Sequence, residues 1–267
     1  MIDAPKEVVL ITGCSSGIGK ALAQAFHRAG RLVYATARNI EALEGLRAEG
    51  ILVHALDVSE TQQINDLREY LQNQGYCVDV LVNNAGFGAM GPSLDITLDV
   101  WKKQFEVNLF APVALIQAFA PDMIKQGKGT IVNIGSISGV VATPFAGAYC
   151  ASKAALNVAT DSLRMELEPL GVRVITVQPG GIRSSFGQQA KDSVSLKTHS
   201  FYKPIEAGVL LHANESQSYA MPTEQFAQSV VHKVLSEDCP AVLRLGSLSL
   251  DLQIMRNSVF LWLWIIL

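Results

Sequence analysis

Four cysteines, Cys14, Cys77, Cys150 and Cys239, are too few and too scattered to form a CxxC pair or a metal-ligand spacing. Neither a disulfide framework nor a metal centre is therefore expected, and free thiols in a reducing compartment are. An excess of positive charge is also missing. Twenty-one Lys and Arg face 24 Asp and Glu, for a formal net charge of −3, which argues against nucleic acid as a partner. The opening segment Met1–Glu7 carries Asp3, Lys6 and Glu7 and lacks the basic-then-apolar plan of a signal peptide. A cytoplasmic location is the expectation.

An apolar run near the C-terminus falls far short of the roughly 20 residues that a membrane-spanning helix needs. The run that stands out, Val259–Leu267, contains Trp262 and Trp264 and is nine residues long. It suits packing on the domain, a subunit interface or a peripheral contact with a membrane surface. Repeats, low-complexity tracts and composition shifts are absent, so the 267 residues read as one domain able to bury most of its unfolded surface.

What is present is an alternation of short apolar runs and helical patterns. Strands are predicted at Val8–Thr12, Leu32–Thr36, Leu52–Leu56, Val78–Val82, Thr130–Ile134, Val172–Val177 and Ala241–Leu245. Helical spacing fills the intervals, including a long stretch over Thr97–Lys125 that Gly127 and Gly129 would end, another over Tyr149–Leu170, and a last over Thr223–Leu235. Ser59 and Gln62 have the spacing of a capping box for the third helix. Strands so uniformly apolar imply an α/β fold with a doubly wound parallel sheet covered on both faces, a Rossmann fold. Such sheets bind ligands at the carboxyl ends of their strands. The stretch Arg183–Ser218 is polar and weakly patterned, and it reads as a substrate lid.

Gly13, Gly17 and Gly19 lie between the first strand and the first helix. Glycines there let the backbone approach a pyrophosphate while the helix N-terminus offers amide donors, although a tight turn alone would also explain them. The spacing is GxxxGxG, not the general GxGxxG. At the end of the second strand the sequence reads Ala35-Thr36-Ala37-Arg38-Asn39, with no carboxylate for an NAD ribose. Arg38 can instead pair with a 2′-phosphate, which favours NADP; a solvated surface arginine is the alternative.

Tyr149 and Lys153 fall four residues apart in a helical pattern, on one face and about a turn from each other. A neighbouring ammonium should depress the phenol's pKa toward working pH, as a proton-transfer catalyst needs. The same spacing occurs in many helices that do no chemistry.

In combination these residues resemble the classical short-chain dehydrogenase/reductase family over nearly the whole chain, from Val8 to about Leu245. Thr12-Gly13-Cys14-Ser15-Ser16-Gly17-Ile18-Gly19 matches its TGxxxGxG, Asn83-Asn84-Ala85-Gly86 its NNAG, and Pro179-Gly180 the pair after the sixth strand. The resemblance implies a nucleotide site from Gly13, Ser15, Ser16, Gly17, Ile18 and Gly19. Asp57 takes the position that binds the adenine ring, with Val58 beside it. Asn84, Ala85, Gly86, Tyr149, Lys153, Pro179, Gly180, Ile182 and Ser184 complete the cofactor contacts. Ser184 stands where the family commonly has threonine. Ala37 followed by Arg38 is the arrangement of NADP-preferring members. Asn108, Ser136, Tyr149 and Lys153 fall at the catalytic positions: Tyr149 as proton donor, Lys153 on the nicotinamide ribose, Ser136 on the substrate oxygen and Asn108 holding a water that connects Lys153 to solvent.

Phe87, Met90, Val140, Val141, Phe145 and Phe186 would line an apolar substrate site. The stretches Phe87–Pro92 and Thr143–Tyr149 look like the branch of hydroxysteroid dehydrogenases, retinol dehydrogenases and acyl-dihydroxyacetone-phosphate reductases. The resemblance thus implies an NADP(H)-dependent reductase of a lipophilic ketone or aldehyde, paired as a homodimer or homotetramer through the long helices. NAD-dependent alcohol oxidation is the alternative, and a non-catalytic NADP sensor a more distant one.

Overall fold

The computed structural model describes residues 6–184, 194, 196–215 and 220–247. Seven strands form one sheet: β1 Val8–Ile11, β2 Leu32–Ala37, β3 Leu52–Ala55, β4 Val80–Asn83, β5 Gly129–Ile134, β6 Val172–Pro179 and β7 Val242–Leu245. Their order is β3-β2-β1-β4-β5-β6-β7, and every pairing is parallel. The order reverses direction between β1 and β4, which opens a crevice at their carboxyl ends.

The side-chain period of two explains why β1 is apolar throughout. Val9 and Ile11 point into one core with Leu22 and Phe26 of α1 (Gly17–Arg28) and with Phe226 and Val230 near the chain's end. Val8 and Leu10 point into the other core, against Ile64, Leu67 and Leu71 of a helix at Thr61–Asn73 and Leu115 and Phe119 of a longer one. Each large apolar side chain so buried contributes about 1.5–3 kcal/mol. Among the described residues the remaining helices are α2 Glu44–Ala48, α3 Thr61–Asn73, α4 Leu98–Phe105, α5 Ala111–Gln126, α6 Gly147–Leu167, α7 Glu206–Glu215 and α8 Thr223–Val234.

Three local expectations need correction. Ser59 does not cap α3, because its amide and hydroxyl both donate to Asp57 Oδ1, at 3.0 and 2.7 Å, and the helix starts at Thr61 without a side-chain cap. The long stretch over Thr97–Lys125 is not one regular helix: a π turn at Glu106–Phe110 separates α4 from α5. It does end as expected, with Gly127 in the left-handed conformation at φ 66°. The weakly patterned stretch after β6 contains an ordered helix, α7, behind a short 3₁₀ turn at Lys203–Ile205. Leu98–Gln126 is long and apolar enough to cross a membrane, but Leu115, Phe119 and Met123 pack into the core against α3 and β5, the setting of a core helix.

Candidate active site

The glycine loop is fixed by contacts between backbones. Gly13 has φ +72°, and a Cβ there would lie 2.8 Å from Cα of Ala85; a Cβ on Gly19 would lie 2.3 Å from the Gly13 carbonyl oxygen. Neither position has room for a side chain. Thr12 Oγ1 accepts hydrogen bonds from the amides of Asn84 and Ala85, at 3.1 and 3.0 Å. Asn84 Nδ2 in turn donates to the carbonyls of Thr12 and Gly13, at 2.8 and 3.1 Å. Asn84 therefore clamps the loop after β4 to the loop after β1, holding the cradle in shape. Ser15 and Ser16 are exposed beside it, and the Ser16 side chain makes no cap hydrogen bond to the first turn of α1, at Gly17, Ile18 and Gly19. A helix N-terminus over a side-chain-free cradle is what a pyrophosphate needs.

Arg38 is exposed at the end of β2. Burial raises the pKa of Asp57, but the two Ser59 bonds, Arg38 and Lys103 outweigh it and hold the carboxyl below the usual range. The Asp57 amide donates to Gln63 Oε1 at 2.8 Å, and Val58 is buried. Arg38 and Asp57 thus face one corner, at the end of the crevice where an adenosine would lie.

The four catalytic candidates come together in the interior. Asn108 is 0% exposed, Lys153 5%, Ser136 7% and Tyr149 8%. Ser136 follows β5 and caps a 3₁₀ turn, its hydroxyl accepting from the Ser138 amide at 3.1 Å. The Tyr149 side chain, on the first turn of α6, lies beside Ser136, whose side chain favours the ionised phenol. Lys153 Nζ donates to the Ile134 carbonyl at 2.7 Å. Asn108 sits in the π turn; its Oδ1 accepts from the Phe87 amide at 3.2 Å, and its Nδ2 donates to the Phe87 carbonyl and to Ser152 Oγ, each at 3.0 Å. Gly86 joins these groups, since a Cβ there would lie 3.0 Å from Asn108 Oδ1 and 3.6 Å from Lys153 Nζ.

The expectation that Lys153 depresses the Tyr149 pKa is not met. Burial pushes the phenol up to about 12, the Ser136 side chain opposing and the Cys150 thiol adding to the rise. Burial also brings the Lys153 ammonium down to about 8. Desolvation dominates both shifts, because both side chains lose water on burial. Tyr149 therefore keeps its proton at neutral pH.

On the far side of the crevice, Pro179 ends β6 and the Gly180 amide donates to Leu245 at 2.8 Å. Ile182 is buried and bridges to Met221. Ser184 lies against the glycine loop, 3.2 Å from where a Gly17 Cβ would be. Phe186 and the apolar run Val259–Leu267 lie outside the described residues. Sequence reasoning gave no role to Thr12 as a clamp or to Ser152 as the partner of Asn108, and it placed Phe87 in the substrate lining without the backbone bonds by which Phe87 holds Asn108. Backbone partners leave no residue-type signal; Thr12 could have been found from its place at the head of the glycine loop.

These features place the molecule among nicotinamide-dependent oxidoreductases of the doubly wound type. The model of the short chain dehydrogenase family matches residues 7–194, and the chain belongs to that family. It is 38% identical over 240 residues to short-chain dehydrogenase cctT of Talaromyces islandicus, covering 86% of this chain and 83% of that one. It is 33% identical over 229 residues to the NADPH-dependent 1-acyldihydroxyacetone phosphate reductase of Schizosaccharomyces pombe, covering 84% and 77%. Among solved structures, a short-chain dehydrogenase from Streptomyces avermitilis superposes with a TM-score of 0.84 at 29% identity, over 98% of both chains. A closed serine dehydrogenase complexed with NADP+ superposes with a TM-score of 0.77 at 25% identity, over 91% and 95%.

Proposed function

We propose that the protein is an NADP(H)-dependent reductase of lipophilic ketones or aldehydes. The observation that carries this reading is the buried pair of hydroxyls, Ser136 and Tyr149, with the Tyr149 pKa held at about 12. A carbonyl oxygen placed between them meets two hydroxyl donors, and the phenol keeps its proton for transfer across neutral pH. Bound nicotinamide supplies the hydride. Tyr149 gives its proton to the oxygen as charge develops there, and Ser136 stabilises that charge. Lys153 orients toward the ribose hydroxyls and supports replacement of the proton. Asn108, through Phe87 and Ser152, fixes the floor on which Lys153 rests. Arg38, with no carboxylate at Ala37, supports a 2′-phosphate and hence NADP(H). The named cofactor of the 1-acyldihydroxyacetone phosphate reductase agrees with this choice.

The apolar stretches after β4 and β5 and the exposed Leu94 and Phe201 support a lipophilic substrate. Exposed Phe110 on the π turn and Val158 and Met165 on α6 support pairing of two chains through the long helices. Cytoplasmic residence and peripheral membrane contact through Val259–Leu267 complete the proposal. The test of function is a panel of alkyl, cyclic and aromatic ketones and aldehydes with NADPH, followed at the nicotinamide absorbance band. Consumption of NADPH with lipophilic members is expected, and consumption with none contradicts the proposal.

A further inference from the structure

Three segments that follow different strands meet beside the catalytic helix, and the residues that join them are not those of the catalytic group. Phe145, four residues before Tyr149, has φ 60°, a left-handed conformation that a bulky side chain rarely adopts and that must be held by its surroundings. Its carbonyl accepts from the Gly91 amide at 2.7 Å, which ties the segment after β5 to the loop after β4. Its ring meets Tyr202 edge to face, with centroids 6.1 Å apart and planes at 86°. That contact ties the same residue to the segment after β6. A second tie runs alongside, from Lys197 Nζ to the Leu94 carbonyl at 2.7 Å.

We propose that Phe145 and Tyr202 form an aromatic latch that determines substrate specificity, closing over the apolar body of a substrate whose carbonyl lies at Ser136 and Tyr149. The inference rests on the carbonyl-reductase reading. A nucleotide held at the glycine loop would fill that side of the crevice, so the body of a substrate would extend the other way, toward the segments that Phe145 joins. The left-handed backbone fixes one ring with its carbonyl pinned at Gly91, while Tyr202 comes from a segment reaching in from beyond β6. An edge-to-face pair has a geometric preference that an aliphatic pair lacks, so it defines one closed arrangement. Phe201, next to Tyr202, is 87% exposed, and Leu94, at the second tie, is 63% exposed. The outer edge of the latch is therefore apolar and faces solvent, as an entrance for an apolar substrate would be. The latch favours long or bulky apolar ketones, which reach both rings, over short ones, which stop at the hydroxyls.

The test compares kcat/KM for 2-octanone and 2-butanone with NADPH in the wild type, Tyr202→Ala and Tyr202→Phe, with the NADPH dissociation constant as the check on folding. Tyr202→Ala is expected to lower the octanone-to-butanone ratio about tenfold, a factor equivalent to about 1.4 kcal/mol. Tyr202→Phe, which keeps the ring, is expected to restore it. A ratio within about twofold of wild type in Tyr202→Ala, or no rescue by phenylalanine, overturns the latch. Calorimetric binding of 2-octanone to the NADP complex separates the two proposals. Binding weakened by Tyr202→Ala in a protein that turns over no member of the ketone and aldehyde panel keeps the latch and refutes carbonyl reduction. Absence of both turnover and binding in the wild type refutes both.

Discussion

The two flanks of the crevice are built by different means. On the glycine-loop flank, proposed for the nucleotide, backbone packs against backbone at Gly13 and Gly19, and the Thr12 and Asn84 side chains add four hydrogen bonds to backbone groups. On the flank proposed for the substrate, the Phe145–Tyr202 ring pair and the Lys197 side chain join the segments, beside one backbone bond from Gly91 to Phe145. A cofactor shared by many reactions can be met by a fixed backbone surface, whereas substrate choice needs positions where the side chain can vary. Between the flanks lies a buried polar centre whose charge is costly to hold.

That contrast can be broken at its strongest point by filling the cradle. Gly19→Val places branched atoms where a Cβ already stands 2.3 Å from a carbonyl oxygen. The expected result is NADPH binding weakened by about 100-fold or more, equivalent to about 3 kcal/mol, and a lowered Tm. Titration by cofactor fluorescence checks it, and unchanged affinity would show that the loop is only a turn. Arg38→Ala should act on one feature of the cofactor alone. NADPH affinity is expected to fall about tenfold to thirtyfold, as for loss of a charge-assisted phosphate contact, with NADH affinity unchanged; equal losses for both would refute the 2′-phosphate role.

The centre between the flanks is sharpened by Lys153→Met. Lys153 has a folded pKa of about 8, below its ordinary value of about 10.4. The unfolded chain therefore binds more protons between these values, and stability rises with pH across that window. Tyr149, raised to about 12, opposes the trend above its ordinary pKa of about 10. Removing the buried ammonium at neutral pH should thus raise Tm, by about 2–8 °C for a gain of about 1–2 kcal/mol, while abolishing activity. The gain should shrink as pH rises from 8 toward 10; an unchanged or lowered Tm at pH 7 contradicts the assigned cost. The smallest expected effect belongs to the C-terminal run. Deleting Val259–Leu267 should reduce sedimentation with phosphatidylcholine vesicles by about twofold, and an unchanged fraction removes the membrane contact from the proposal.

The same contrast governs what could be read in the sequence. Parallel strands buried on both faces are mostly apolar, so β1, β4 and β5 were legible to within a residue or two. The glycines were legible because backbone contact excludes every other residue there. Tyr149 and Lys153 were legible as a pair at helical spacing, Ser136 and Asn108 only through the family resemblance, and the structure buries all four. What escaped notice depends on partners distant in sequence. The π turn at Glu106–Phe110 follows no pattern of hydrophobicity, and Asn108 is held by Phe87 through its backbone. Helix α7 was hidden by a polar stretch with Pro204 and Gly208, residues that usually mark loops. The direction of the Tyr149 shift was missed because spacing reveals the neighbouring charge but not the burial that outweighs it.

The most direct test of the central claim is single-turnover reduction of 2-octanone by enzyme saturated with NADPH, comparing the wild type with Tyr149→Phe. The account predicts hydride transfer in the wild type and a rate at least about 10³-fold slower in the mutant, with the NADPH dissociation constant within about twofold. A Tyr149→Phe enzyme that reduces the ketone at the wild-type rate contradicts the assignment of Tyr149 as the proton donor.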